Sequence, residues 1–296
     1  MGALPIDSVE DDRAWLAGAF SAAVESVHPR VALAHLAMPI PEPKGFGRRR
    51  LIAIGKAAGA FARAFVDRYS IDDGIVIAPP DAPALVTGLI DVPGDHPVPS
   101  EASLAAGLRL WDFIGQVNAD DVYIVLLTGG ASALCVLPIE GVTLEQKRHA
   151  TMQLMHAGAS IAELNQLRRR LSRIKGGGLE RRLAPARCIT LAISDVQGDD
   201  PEVIGSGPTM SSAASLANYV VIATLDDALR AARAYAAADG IEIMDLGRTL
   251  YGSVESEAVR IVAEIHRCRA ALRFGDRPTL LLAGGEPVIT VQGDGV

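Results

Sequence analysis

Short apolar segments alternate with amphipathic helical segments along most of this 296-residue sequence. The apolar segments are rich in Val, Ile and Leu and show no polar alternation, which is typical of strands covered on both faces. A strand–helix–strand order favours parallel strands joined by crossover helices. The sequence therefore predicts an α/β fold with a doubly wound parallel sheet.

The predicted elements follow from this alternation and from helix start signals such as Ser100, Thr143 and Thr224. Strands are predicted at 51–54, 75–78, 122–127, 188–193, 219–223, 241–246 and 279–283. Helices are predicted at about 9–27, 57–68, 101–117, 143–157, 161–174, 225–238 and 254–272. The proline-rich segment 78–100 is expected to be an irregular loop. We expect residues 1–240 to form the doubly wound domain and residues 241–296 to begin a second, incomplete α/β unit.

Charge and cysteine content exclude several classes of protein. With 28 Lys+Arg against 35 Asp+Glu, the net charge of −7 argues against a nucleic-acid binder. No apolar run is long enough for a membrane span, and the N-terminus lacks the pattern of a secretory signal. The three cysteines are far apart and odd in number, which favours a reducing compartment, so we expect a cytoplasmic protein.

The first candidate site is the turn after the strand at 51–54. Gly55 permits a tight turn, and Lys56 adds a positive charge where a helix begins. The helix dipole disfavours a lysine there unless an anion is bound, so the turn is suited to a phosphate or a carboxylate. The alternative is that Lys56 only begins a surface helix.

A second glycine-rich turn follows the strand at 122–127. Gly129 and Gly130 permit close backbone approach, and the hydroxyl of Ser132 is a further group that can bind an anion. An ordinary strand-to-helix turn is the alternative explanation.

The basic segment 163–182 is the third candidate. A continuous helix would align four polar side chains along one edge of its apolar face, namely Asn165, Arg168, Ser172 and Lys175. Gly176 and Gly177 would then end the helix and let the backbone approach a ligand. Half of this segment is thus expected to line a cleft, and the other half to be solvated surface.

Carboxylates after the strand at 188–193 form the fourth candidate. Asp195 follows the strand directly and is suited to Mg²⁺, with Asp199 as a second ligand. A capping role is an equal alternative for Asp199. Cations, anion-binding turns and carboxylates at one sheet edge favour binding of small anionic ligands and fit phosphoryl transfer. The sequence contains no Walker A motif, and no G-x-G-x-x-G motif follows the first strand.

The same residues resemble the glycerate 2-kinase family, many members of which are named putative hydroxypyruvate reductase. The resemblance lies in ordered blocks that cover nearly the whole chain: IGKAAGAF at 54–61, GDHPVPSEAS at 94–103, LLTGGASAL at 126–134, LNQLRRRLSRIKGGGL at 164–179, ISDVQGDDPEVIGSGPT at 193–209 and LLAGGEPVITVQGDG at 281–295. It implies a Rossmann-like N-terminal domain, a smaller C-terminal α/β domain and an active site in the cleft between them. The implied reaction is phosphorylation of the 2-hydroxyl of D-glycerate by ATP with Mg²⁺.

The resemblance also implies roles for particular residues. Lys56 matches the catalytic lysine of the family's GKA motif, and Glu286 matches the acidic residue of its GGE motif. His96, in the proline-rich loop, is a candidate for substrate contact, although a lone histidine is more often structural. From loop and helix geometry, Asn165 and Arg168 are assigned to substrate, and Ser132 and Lys175 to phosphate.

Three alternatives to an active kinase stay open. Family members continue beyond the GDG segment with an essential arginine, whereas this sequence stops at Val296, so a fragment or a truncated relative with little kinase activity is expected. Reduction of hydroxypyruvate by NAD(P)H and a non-catalytic phosphosugar- or anion-binding module are the other two. The family resemblance also allows a homodimer.

Overall fold

The computed structural model describes residues 9–82, 86–159, 161–271 and 277–289. By internal packing these residues divide into two compact units. The sheet unit runs from Ala32 to Ala223. The split unit contains the first helix together with the chain from Thr224 onward.

Six parallel strands form the centre of the sheet unit: β1 (Arg49–Ile54), β2 (Asp73–Ala78), β3 (Ile90–Pro93), β4 (Val122–Leu127), β5 (Arg187–Ile193) and β6 (Tyr219–Ala223). Their order is β3-β2-β1-β4-β5-β6, in which the chain reverses direction across the sheet between β1 and β4. This is the strand order of a Rossmann-type sheet, so the predicted fold class is confirmed. In such sheets, ligands bind beyond the carboxyl ends of the strands at the reversal point.

Ten helices lie in the described ranges: α1 (Val9–Ser26), α2 (Pro29–Ala34), α3 (Ala58–Val66), α4 (Glu101–Ile114), α5 (Ala131–Leu134), α6 (Leu144–His156), α7 (Ile161–Arg170), α8 (Gly178–Leu183), α9 (Leu225–Ala238) and α10 (Val254–Ala271). The capping signals are confirmed. The Ser100 hydroxyl accepts from the N–H of Ala102 at 3.0 Å, and Thr143 forms a reciprocal capping box with Gln146. Within the described ranges, no helix combines the length and apolarity needed to cross a bilayer.

The sheet is buried on both faces because each face packs against helices. In β1, Ile52 and Ile54 belong to the core on one face, whereas Leu51 and Ala53 belong to the core on the other. All six residues of β1 are buried, as are all six of β4. Two-sided burial is therefore the reason that these strands read as continuous apolar runs.

Arg50 is a buried charge near the amino end of β1, and the side chain is 4% exposed. Its guanidinium donates to Asp73 Oδ1 at 2.8 Å, to the Tyr123 hydroxyl at 2.6 Å and to the carbonyls of Phe113 and Ile114 at 2.8 and 3.1 Å. Since each of these bonds satisfies a polar group, this arginine joins β1, β2, β4 and the end of α4.

The split unit contains a parallel pair of strands, β7 (Glu242–Leu250) and β8 (Thr279–Gly285). Its core joins Trp15 of α1 to Ala236 of α9 and Leu280 of β8. The Trp15 indole N–H also donates to Asp239 at 2.7 Å. The division at Ala223 and Thr224 differs from the predicted boundary at residue 240, because α1 and α9 pack together with β7 and β8.

The prediction for the proline-rich segment is wrong in part. The proline-rich segment is not wholly irregular, since 90–93 forms β3. As an edge strand it tolerates Pro93, whose missing N–H is not needed by a neighbour. Residues 83–85 of this segment, and residues 290–296 of the last family-like block, lie outside the described residues.

Candidate active site

Two turns meet at the point where the sheet reverses, one after β1 and one after β4. The N–H of Thr128 donates to Ile54 O at 3.1 Å, and the N–H of Lys56 donates to Gly129 O at 2.8 Å. The N–H of Ala57 donates to the Thr128 hydroxyl at 3.1 Å. These bonds hold the first and second predicted turns against each other.

Gly55 is required where these turns touch. It has φ +140°, and a Cβ atom there would overlap the Thr128 hydroxyl and lie 2.6 Å from Thr128 O. A larger residue would therefore push the two turns apart.

Lys56 and His96 meet over Gly130. A Cβ atom on Gly130, which has φ +83°, would lie 3.0 Å from Lys56 Cγ and 2.9 Å from His96 Cδ2. Both side chains are exposed. The structure thus brings His96 from the proline-rich loop to the lysine and the second turn.

Asp195 reaches the same turn from the end of β5. A Cβ atom on Gly129 would overlap an oxygen of the Asp195 carboxylate and lie 2.6 Å from its Cγ atom. Gly129 thus leaves room for the Asp195 carboxylate, and Gly130 leaves room for the side chains of Lys56 and His96. Asp199 lies in the following 3-10 turn with φ +53° and is partly buried.

The structure corrects the predicted helix over 161–174. Helix α7 ends at Arg170, and Ser172 instead forms an antiparallel bridge with Pro138. The Ser172 hydroxyl accepts from the N–H groups of Ile174 and Lys175, both at 3.2 Å. Ser172 therefore shapes the turn, and the polar stripe along one helix does not exist beyond Arg168.

Lys175 nevertheless reaches the second turn. Its ammonium donates to the Ser132 hydroxyl at 2.6 Å, and that hydroxyl lies 3.0 Å from the Ser206 hydroxyl. The side chain is 4% exposed. Burial lowers the pKa of Lys175 well below its usual value, and the charges of Lys147 and Arg168 lower it further.

Gly176 and Gly177 hold the Lys175 turn in place. They have φ +57° and +75°, and their N–H groups donate to Ser206 O at 3.0 Å and Gly207 O at 2.7 Å. Since both N–H groups have main-chain partners, contact of these glycines with phosphate stays a prediction.

Arg168 and Asn165 are partly buried on α7. The charge of Arg168 lowers the pKa of both Lys175 and Lys147, so it lies beside them. Arg169 turns away from them and pairs with Glu202 at 3.0 Å. Arg169 is partly buried in this pair, whereas this half of the basic segment was expected to be solvated surface.

Lys147 of α6 is the residue that sequence reasoning missed. It is 5% exposed, and its pKa is lowered to about 8 by burial and by the charge of Arg168. Leu144 and Lys147 are the buried residues of α6. The available signal was the capping box, which fixes the helix start and places Lys147 three residues after a core leucine.

Glu286 belongs to the split unit, where it is exposed and follows β8 directly. Among the described residues, no group of three or more His, Cys, Asp or Glu side chains is arranged to hold a metal ion. That result leaves open a Mg²⁺ site of the kind that uses one or two carboxylates together with substrate phosphates.

Comparison with known proteins identifies the family. A family model described as "Domain of unknown function (DUF4147)" matches residues 15–236. D-glycerate 2-kinase of Thermotoga maritima is 31% identical over 83% of this chain and 67% of its own length. This chain belongs to the DUF4147 family of glycerate 2-kinases.

Other relatives carry two kinds of name. Two proteins of Agrobacterium vitis named putative hydroxypyruvate reductase are 37% and 32% identical, over 69% and 84% of this chain. The chain spans 46% and 74% of their respective lengths. The crystal structure of glycerate kinase from Thermotoga maritima superposes with a TM-score of 0.79 at 27% identity, covering 97% of this chain and 77% of that one.

Proposed function

We propose that this protein transfers a phosphoryl group from ATP to the 2-hydroxyl of D-glycerate, giving 2-phosphoglycerate. The observation that carries the proposal is the arrangement around Gly129 and Gly130, where Lys56, His96 and Asp195 approach one turn at the reversal point of the sheet. The relatives named D-glycerate 2-kinase and glycerate kinase support the choice of reaction. Phosphoryl transfer depends mainly on positioning and charge neutralisation, which such a site provides.

Each residue of the turn has a physical role in this proposal. Lys56 places its charge where negative charge builds up on the transferred group. Gly129 and Gly130 let phosphate oxygens approach the backbone, since neither carries a side chain. His96 contacts the substrate next to Lys56. Ser132 and Lys175 bind an anionic oxygen, with Arg168 and Asn165 on the substrate side.

Mg²⁺ fits this site through the Asp195 carboxylate, which lies against the turn proposed for phosphate. Asp199 is the second carboxylate assigned to the ion. Bound Mg²⁺ supplies neutralisation of charge on phosphate oxygens. Asp195 itself places a negative charge beside Gly129, and Lys56 approaches the neighbouring Gly130.

Glu286 is proposed as an acidic residue of the active site on the strength of the family's GGE motif.

The cytoplasm is proposed as the compartment of the protein, since Cys135, Cys188 and Cys268 are free thiols. A homodimer stays a prediction. Reduction of hydroxypyruvate has only the names of relatives in its favour, because the turn after β1 reads GKAAG and lacks the dinucleotide fingerprint.

The test is formation of 2-phosphoglycerate from ATP, Mg²⁺ and D-glycerate, followed by ³¹P NMR so that the 2- and 3-phosphates are separated. Calorimetry with each substrate alone measures binding independently of turnover. We expect Lys56→Ala to lower the rate about 100-fold or more. Its urea midpoint should not change, because this side chain is exposed.

Lys44→Ala is the matched control, since Lys44 is also exposed and lies before β1. The proposal is rejected if no 2-phosphoglycerate forms from ATP, Mg²⁺ and D-glycerate. Wild-type rates for Lys56→Ala would remove that lysine from the mechanism. Consumption of NADH with hydroxypyruvate, without phosphoryl transfer, would establish the reductase instead.

A further inference from the structure

Lys147, Arg168 and Lys175 are three neighbouring cations, since Arg168 lowers the pKa values of both lysines, and one of them, Lys175, contacts Ser132. Lys147 and Lys175 are 5% and 4% exposed, and Arg168 is partly buried beside them. The Lys175 ammonium donates to Ser132, but among the described residues the Lys147 ammonium has no hydrogen-bond partner. A buried ammonium without a partner is a costly arrangement unless a ligand completes it.

In the part of the chain that the structure describes, no carboxylate is a cause of the pKa shifts within this group. Burial and the neighbouring cations lower the pKa values of Lys147 and Lys175, and among the described residues no carboxylate acts to raise either pKa. The other titratable neighbour of Lys175 is Cys135. Burial raises its pKa to about 12, so it is a neutral thiol at physiological pH.

Carboxylates on adjacent segments are already engaged. Glu202 pairs with Arg169 at 3.0 Å. Glu180 accepts from the Ser211 N–H at 2.8 Å and from the Ser215 hydroxyl at 2.7 Å. The excess of positive charge around Ser132 is therefore not balanced by these side chains.

We propose that Lys147 is an anion-binding residue, which together with Lys175, Arg168 and Ser132 holds one oxyanionic group of a substrate. The shared chemistry is that of a phosphate or a carboxylate oxygen, which accepts from ammonium and guanidinium donors. This inference rests on the proposed function and deepens it. The kinase reaction supplies the two candidate anions, which are a phosphate of ATP and the carboxylate of glycerate. Ser132 closely follows the Gly129–Gly130 turn in the chain, so this proposed anion pocket adjoins the turn that Lys56 approaches.

The test compares Lys147→Met with wild type by calorimetry, using inorganic phosphate, Mg²⁺–ATP and D-glycerate separately. Loss of a charge-assisted hydrogen bond predicts about tenfold or weaker binding of the ligand that uses the pocket. Weaker binding of phosphate and ATP assigns the pocket to phosphate, and weaker binding of glycerate alone assigns it to the carboxylate. Lys147→Arg, which keeps the charge, should lose less affinity, and Lys44→Met should lose none.

Wild-type affinity of Lys147→Met for all three ligands overturns the proposal. A second measurement does not depend on the folding of that variant. The sequence has four lysines, Lys44, Lys56, Lys147 and Lys175, so lysine labelled with ¹³C at Cε gives few signals. The signals of Lys44, Lys56 and Lys175 are assigned from their Met variants, and the signal that is left belongs to Lys147.

Saturation with the bound ligand should raise the pKa of Lys147 from about 8, because a nearby anion favours the charged ammonium. An unchanged Lys147 signal at saturation again overturns the proposal. Failure of the proposed function has a different signature. It appears as binding of anions through Lys147 with no formation of 2-phosphoglycerate.

Discussion

Removing the Lys147 ammonium should stabilise the ligand-free protein, and the gain should shrink as pH rises. Burial and Arg168 lower the pKa of Lys147 to about 8 in the folded state, compared with 10.5 for an ordinary lysine. The unfolded chain therefore binds more protons than the folded one between these two pH values. By linkage, this lysine destabilises the fold fully below about pH 8, and the penalty disappears as pH rises through about 10.5.

The size of the penalty follows from the shift. A difference of about 2.5 pKa units corresponds to about 3 kcal/mol at pH 7, since each unit is worth about 1.4 kcal/mol. At about pH 10 nearly all folded molecules and about a quarter of the unfolded ones have lost this proton, and about 1 kcal/mol remains. The advantage of Lys147→Met over wild type should thus fall by about 2 kcal/mol across this range.

Urea unfolding measures the difference. Trp15 and Trp111 are the two tryptophans, so a Trp15→Phe background leaves Trp111 to report on the sheet unit that contains Lys147. Buffers should contain chloride and no phosphate, sulfate or carboxylate, because a bound anion would hide the effect. Lys44→Met, altered at an exposed site, is the matched control for loss of a lysine. A stability difference between Lys147→Met and wild type that is constant from about pH 7 to about pH 10 would refute the linkage argument.

Two further substitutions test the packing of the sheet unit. Gly55→Ala should cost about 3 kcal/mol or more, because its Cβ overlaps the Thr128 hydroxyl in a backbone conformation that favours glycine. Gly88→Ala also has positive φ but meets nothing within 4 Å, so about 1 kcal/mol is expected, and equal losses would contradict the overlap argument. Arg50→Met should cost about 3 kcal/mol or more in urea unfolding, since it leaves the Tyr123 hydroxyl and the carbonyls of Phe113 and Ile114 without their donor. Arg230→Met removes an exposed pair with Asp227 and should cost under about 1 kcal/mol; a similar loss in both variants would show that burial is not the cause.

Sequence reasoning located the central strands well because their signal is physical and local. The predicted ends of β4 and β6 agree with the structure, since polar or turn-forming residues border both apolar runs. Helices α4, α6 and α9 begin where Ser100, Thr143 and Thr224 predicted. Caps and two-sided burial act within a few residues, so one sequence is enough to detect them.

Features that depend on distant contacts were missed. The strand β3 contains Asp91 and Pro93, which interrupt the apolar pattern expected of a strand. It forms because its backbone pairs with that of β2. The end of α7 is set by a bridge between Ser172 and Pro138, which lie far apart in sequence. Periodicity alone extends that helix too far, because it contains no information about this pairing.

The same limit applied to the candidate site. Glycine turns after β1 and β4 predicted that Lys56 and the segment 128–132 would meet, since both follow parallel strands. Lys147 does not directly follow a strand or a glycine turn, so this reasoning does not locate it. It lies on a largely polar helix, and its burial depends on how α6 and α7 pack together.

The split unit has a consequence for biosynthesis. Its Trp15 needs Tyr235 as an aromatic neighbour and Asp239 as an acceptor, and the entire sheet unit separates these partners in the chain. On the ribosome, α1 therefore emerges before the sheet unit but must wait for translation to pass Ala223 before its own core is available. Until then its apolar side chains, Trp15 among them, lack native contacts within their unit, so a pause in elongation after Ala223 would prolong the period in which this helix is open to chaperones or proteases.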